Sequence, residues 1–264
     1  RSVTHSLDNY PHTGTTRYED GVTKIPGFAC STMDAEWLSK QLKLRMPVQL
    51  FLKSSCKQGP DVLSYNVIGE IRGSEKPEEI ITAGGHLDSW DLAEGAHDDG
   101  TGCMQSIEVI RAIKALGWKP KRTIRAVMFM NEENGNQGGQ QYAKWVLSNQ
   151  EKQIAALESD RGGFAPRGFG LDGPEAYLSL LQSFEPLLRH YDLHIFEKGY
   201  GGVDIGPLKN QYPGIPLFGF VPDSQRYFDY HHAPSDVFEN VNKRELELGA
   251  AAIASFVYLL DKNL

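Results

Sequence analysis

The sequence predicts an α/β protein built on a mixed, largely parallel sheet with helices on both faces. Three observations carry that reading. From Asp61 onward, short apolar runs alternate with amphipathic stretches of helical period, the pattern of strands joined by helical crossovers. Histidine and carboxylate clusters follow several of those runs, at the strand ends where open α/β sheets gather their chemistry. At 264 residues the chain can also bury a full core with a small appendage beside it.

Residues 1–60 are punctuated by Pro11, Gly14, Gly21, Pro26, Gly27 and Pro47, too closely for long elements. Within them Ser31 is a candidate N-cap for a helix over 31–44 with apolar Ala35, Leu38 and Leu42, and residues 48–52 alternate as a strand. A strand over 64–71 and a turn over 73–79 lead into the apolar run Ile80, Ile81, Thr82, Ala83. A helix over 101–116 carries Met104, Ile107, Ile110, Ile113 and Leu116 as its stripe. Strand 124–130, helix 140–147, strand 154–157 and helix 175–190 continue the alternation, and a strand over 215–221 feeds the loop holding His231 and His232. Asn242 can cap a last helix, with Glu245 at its third position, running apolar through Leu246, Leu248, Ile253, Phe256, Val257 and Leu260.

Composition narrows the function. The chain is 40% hydrophobic and 23% charged, ordinary for a globular protein, with a net charge of −7. No basic run exceeds the turn Lys119, Pro120, Lys121, Arg122, so a nucleic-acid partner is not expected. There is no run of ~18 apolar residues, hence no expected membrane span. Cys30, Cys56 and Cys103 cannot all pair within the chain and lack metal-site spacing; Cys103 is expected to be a buried small hydrophobe. The opening Arg1, Ser2, Val3, with no initiator methionine or signal peptide, reads as a chain trimmed upstream.

The stretch Ala83 to Gly102 places His86, Asp88, Asp98 and Asp99 in one glycine-punctuated loop after a strand. Alone, such a loop is more often a solvated turn. But Asn131, Glu132 and Glu133 follow a second strand, Glu158, Ser159 and Asp160 a third, and His231, His232 and Asp236 a fourth. Metal-type side chains recurring at four strand ends describe a metal site assembled along one sheet edge. The loop is no EF-hand, since its acids fall at the wrong intervals, and the glycine run 199–206 lacks the lysine of a phosphate loop.

In this order, HLD (86–88), GAHDDG (95–100), NEENG (131–135), ESD (158–160) and HHAPSD (231–236) resemble the zinc peptidases of family M28. The likeness runs from Pro60 to the C-terminus, and residues 10–38 resemble the protease-associated insert of the same proteins. It implies the zinc-dependent exopeptidase fold, with 61–264 as catalytic domain and 1–60 as the remnant of an insert truncated upstream. It also implies two Zn2+ per chain: Asp98 bridges, His86 and Asp160 complete one ion, and Glu133 and His232 the other. Such a nitrogen and oxygen set suits zinc in an open catalytic site, although manganese or cobalt accepts the same ligands.

By the same resemblance Glu132 is the general base, Asp88 holds the second nitrogen of His86, and Asp98–Asp99 sits where the family carries a cis peptide. Many relatives place a tyrosine before the last histidine ligand; here His231 stands there, either as a donor to the oxyanion or simply packed. His232 is taken as the ligand because Asp236 follows it by four residues. Asp204 belongs to a cleft-lining motif or to a structural turn. The implied activity is hydrolysis of dipeptides or short peptides, in a secreted, periplasmic or lysosomal protein that is a candidate homodimer. An aminopeptidase of the family, a glutaminyl-cyclase-like acyltransferase with one zinc, and a receptor-like binding protein are the other readings; receptor-like relatives lose ligands, and all stand here. Which peptide end is recognised stays open, with Arg161, Arg167, Lys198 and Lys209 as candidate cations.

Overall fold

In a computed structural model, which describes residues 9–57 and 59–264, the chain forms a seven-stranded sheet. Its strands are β1 (Val67–Ile71), β2 (Lys76–His86), β3 (Arg122–Phe129), β4 (Lys152–Glu158), β5 (Pro166–Asp172), β6 (Ile195–Lys198) and β7 (Leu217–Pro222). Their order is β1-β3-β2-β4-β7-β5-β6. The pairs β2–β3, β2–β4, β4–β7 and β5–β6 are parallel, while β1–β3 and β5–β7 are antiparallel. The sheet is therefore mixed and largely parallel.

The helices are α1 (Thr32–Lys43), α2 (Thr101–Ala115), α3 (Gln137–Ser148), α4 (Ala176–Ser183), α5 (Glu185–Leu188), α6 (Leu208–Gln211) and α7 (Lys243–Asn263). Strand side chains alternate between faces, and the core divides accordingly. On one face Ile81, Ala83, Ile124, Ala155 and Leu157 pack with Val109 and Ile113 of α2 and Ile253, Phe256 and Val257 of α7. On the other, Val127, Phe129 and Ala156 meet Tyr142, Ala143 and Val146 of α3 and Leu208 of α6. Central strand β3 is buried along its whole length, as two covered faces require.

Both caps form as expected. The Ser31 side chain accepts from Asp34 N at 3.1 Å, and Asn242 accepts from Arg244 N and Glu245 N. The Glu245 carboxylate does not return to the cap; Arg226 takes it at 2.6 Å.

Four expectations need correction. Residues 48–52 form no strand: Leu50, Phe51 and Leu52 are exposed, and alternation without a neighbour to bond does not make a ladder. The helix over 175–190 is broken into α4, α5 and a terminal turn, because Pro186 near the start of α5 has no N–H to continue α4. The stripe of α2 is offset: Met104, Ile107 and Leu116 are exposed, and its buried face runs through Cys103, Ser106, Val109 and Ile113. Strands β5 and β6 were not anticipated, since β5 carries Pro166, Gly168 and Gly170, poor strand formers whose fit comes from their neighbours.

Candidate metal centre

The carboxyl ends of β2, β3, β4 and β7 lie side by side in the sheet, and the loops that leave them deliver the candidate ligands to one place. His86 is the last residue of β2 and is buried. Asp98 comes from the turn 96–100 that opens α2, Glu132 and Glu133 follow β3, Asp160 follows β4, and His232 follows β7.

Asp98 stands between two groups. Its Oδ1 lies 3.2 Å from His86 Nε2, which is also 3.6 Å from Asp160 Oδ1. Its Oδ2 lies 3.3 Å from His232 Nε2, which is also 3.1 Å from Glu133 Oε2. Each histidine has its other nitrogen on a backbone carbonyl: His86 Nδ1 on Asp88 O at 2.8 Å and His232 Nδ1 on Thr13 O at 2.7 Å. A carbonyl only accepts, so each Nδ1 carries the proton and each neutral ring turns its Nε2 lone pair toward two carboxylates. That arrangement is repulsive until a cation lies between them, whether a proton on each ring or a metal ion. Asp98 Oδ2 and Glu133 Oε1 are also buried with no hydrogen-bond partner, and buried unsatisfied carboxylate oxygens call for an explanation. The residues fit a pair of divalent cations with Asp98 shared.

The titration of the groups carries the same message. Burial pushes Asp99 and Asp160 above the usual carboxylate range, Asp99 further raised by Asp160. Burial likewise takes Glu132 up to about 7, with His86 pulling the other way. A cation among these carboxylates reverses such shifts, because the ion becomes the largest local charge.

The surrounding groups hold this geometry. Asp99, after a cis peptide bond with Asp98, accepts from His86 N and Gly102 N, both at 3.0 Å. Gly102 admits this contact because a Cβ there would lie 1.9 Å from Ser159 O. Asp236 accepts from His97 N at 2.6 Å and Asp98 N at 3.0 Å, fixing the turn that carries the shared carboxylate. The His97 ring stacks on both Phe164 and Tyr230, with centroids 4.4 and 4.8 Å away, and these two rings lie 6.0 Å from each other.

Some expectations change in detail. The Asp88 carboxylate does not hold His86: it is 3.9 Å from Nδ1, and instead accepts from Glu132 N at 3.0 Å and Glu133 N at 3.2 Å. Three adjacent residues turning sharply after β3 leave those N–H groups unpaired, and Asp88 is the acceptor within reach. Asp204 is fully buried, pushed up by burial and by Glu158, and so lines no open cleft. His231 lies 3.6 Å from Asp98 Oδ2, at the edge of the centre. Cys103 is buried, as expected, with its thiol donating to His86 O.

The sequence reading missed Thr13, His12 and Tyr227. Thr13 also donates its N–H to His232 O at 3.2 Å, so one backbone residue brackets His232, itself in the left-handed region at φ 57°. The His12 ring stacks on His232 with centroids 4.6 Å apart. Tyr227 donates to Asp160 Oδ1 at 3.4 Å. The Thr13 contact spans 219 positions and leaves no local signal.

An α/β sheet that gathers carboxylates and histidines around one aspartate at its carboxyl edge has the makings of a metal-binding hydrolase centre. Comparison with known proteins gives the family: the model for peptidase family M28 matches residues 66–257, and the chain belongs to that family. It is 35% identical to carboxypeptidase Q of Homo sapiens over 259 residues, 97% of this chain and 54% of the relative. It is 34% identical to the Bos taurus protein of that name over the same shares. The chain thus spans about half the length of the curated relatives it matches. A crystal structure of a peptidase M28 precursor from Shewanella amazonensis SB2B superposes with a TM-score of 0.84 at 33% identity, covering 96% of this chain and 57% of that one. Among the described residues no helix is long and apolar enough to cross a membrane.

Proposed function

We propose that this chain carries the catalytic domain, residues 61–264, of a two-zinc exopeptidase acting on dipeptides or short peptides. The observation that carries the reading is the division of Asp98, one carboxylate oxygen facing His86 and Asp160 and the other facing His232 and Glu133. His86, Asp98 and Asp160 would hold one ion, and Asp98, Glu133 and His232 the other; imidazole and carboxylate without thiolate suit zinc. Bound there, such ions polarise a peptide carbonyl and lower the pKa of water to ~7.

The remaining steps belong to the chain. Glu132 takes the proton of the attacking water and delivers it to the nitrogen of the leaving amine. Its carboxylate stands next to the ligand Glu133 in the chain and holds neither ion, so it is free to carry the proton between the two. Asp88, on the N–H groups of Glu132 and Glu133, orients proton carrier and ligand together. His231, near Asp98, and the Tyr227 hydroxyl, near Asp160, with their rings 4.7 Å apart, are the donors available to the developing oxyanion.

Hydrolysis of a panel of unblocked, N-blocked and C-amidated dipeptides, with zinc content measured on the same sample, tests this reading. The expected result is cleavage of unblocked dipeptides at two zinc ions per chain, with Glu132→Gln losing ~10²–10⁴-fold in kcat while keeping its metal. A zinc-loaded chain that cleaves nothing, or that keeps its rate without Glu132, overturns it.

A further inference from the structure

A peptide held at a centre crowded with carboxylates needs a cation if one of its own carboxylates is to be recognised. Of the four cations the sequence offers, three are engaged elsewhere. Arg167 lies 2.7 Å from Asp192, Lys198 3.3 Å from Glu175, and Lys209 pairs with Asp172. Arg161 makes no ion pair or hydrogen bond among the described residues, although it directly follows Asp160.

Arg161 lines a crevice with Asp160, Tyr200, Gly201, Gly202 and Phe220. The two acids of that wall are engaged elsewhere: Glu158 is buried and accepts from Val203 N at 2.7 Å and Ile205 N at 2.9 Å, and Asp160 accepts from the Tyr227 hydroxyl at 3.4 Å and lies 3.6 Å from His86 Nε2. Tyr200 is half-exposed, and its hydroxyl feels Glu158, Asp160, Glu132 and Arg161 together. The candidate ligand Asp160, the unpaired guanidinium and Tyr200 therefore line one space. Burial takes the Tyr200 hydroxyl up to about 12, so it keeps its proton and can donate.

We infer that Arg161, with the Tyr200 hydroxyl beside it, forms a carboxylate-binding subsite adjoining the metal centre, so that the preferred substrates are peptides presenting a carboxylate there. The inference rests on the peptidase reading for its role but not for its chemistry, since an unpaired guanidinium in a crevice binds a carboxylate bidentately whether or not the peptide is cut. The carboxylate has two sources, the C-terminus of the peptide or an acidic side chain.

The test compares wild type, Arg161→Met and Arg161→Lys, each with zinc content verified. The substrates are an unblocked neutral dipeptide, its C-amide, and C-amidated peptides with glutamate on either side of the scissile bond. The ratio of kcat/KM for carboxylate-bearing to uncharged peptides is expected to fall ~10–100-fold in Arg161→Met, the worth of a hydrogen bond to a charged group. Arg161→Lys should recover part of it. Loss of the preference on C-amidation alone identifies the terminus; its survival in an amidated glutamyl peptide identifies the side chain. Calorimetric binding of the same peptides to Glu132→Gln separates the two readings: carboxylate-dependent binding without any wild-type hydrolysis removes the peptidase reading and leaves the subsite standing. Equal ratios in wild type and Arg161→Met, at equal zinc content, overturn the subsite.

Discussion

At the scale of single residues, Asp88 bears on both halves of the proposed chemistry, because its carboxylate accepts from the N–H groups of Glu132 and Glu133. Removing it in Asp88→Ala frees two donors and lets the turn after β3 relax. We expect a fall of ~10–100-fold in kcat and in zinc affinity, the usual cost of losing a group that orients a metal ligand, with Asp88→Asn milder; steady-state kinetics and zinc competition check both. Thr13 makes an analogous case from the opposite end of the chain. In Thr13→Pro the N–H that reaches His232 O is gone, and the zinc affinity of one site of two should drop ~10-fold, read as one weakened phase in a chelator titration. These residues divide what a sequence discloses from what it does not. His86, Asp98, Glu133, Asp160 and His232 were legible because each stands in a short motif at a strand end. Thr13, His12 and the acceptor role of Asp236 were not, since their contacts join distant segments through backbone atoms that any residue possesses.

Elements add constraints of another kind. α2 begins so close to the loop after β4 that a Cβ at Gly102 would meet Ser159 O at 1.9 Å, with Asp99 at 2.4 Å. Both neighbours belong to the scaffold of the centre, so Gly102→Ala should cost ~1–3 kcal/mol or more through forced backbone movement, seen as a lower urea midpoint. The far end of β2 supplies a pH-dependent element. Lys152 at 2.6 Å, with Arg122 also at 2.6 Å and burial opposing, takes the Glu79 carboxyl from the usual 4.5 to about 2. A folded value below the unfolded one means stability that is complete above pH 4.5 and is lost as pH falls toward 2. The melting temperature of wild type should therefore drop more between about pH 5 and about pH 3 than that of Glu79→Gln. Strong periodicity made β2, β3, β4, α1 and α7 readable in advance. The stripe of α2 misled because its true inner face is lined by small residues such as Cys103 and Ser106, which the close approach to the sheet requires and which carry little hydrophobic signal. β5 and β6 were hidden for a related reason: Gly168 packs its backbone where a Cβ would lie 1.9 Å from Ile195 O, so the strand is specified by its neighbour and not by its own propensity.

Across the whole molecule, the sheet stands with its carboxyl edge crowded by acids. His86, Asp98, Asp99, Glu133 and Glu158 are all buried there, and burial raises the pKa of Asp99, Glu132, Glu133, Glu158 and Asp160. Four strands and the loops between them converge on that edge, so repulsion within it loads every connection that closes the core. Cations bound by the folded chain and not by the unfolded one stabilise it by mass action, about 2.7 kcal/mol at a free concentration one hundred times Kd. In a chain of this size, ~2–4 °C per kcal/mol makes that a rise of several degrees in melting temperature on adding zinc to the chelated protein. Two successive sites should give a two-step titration. The Asp98→Ala variant, which deletes the carboxylate facing both groups, should lose both steps together, whereas His232→Ala should lose one. A zinc-independent melting temperature, or an Asp98→Ala variant that keeps one full step, would mean that the ligand pairs act as separate sites and that Asp98 does not join them.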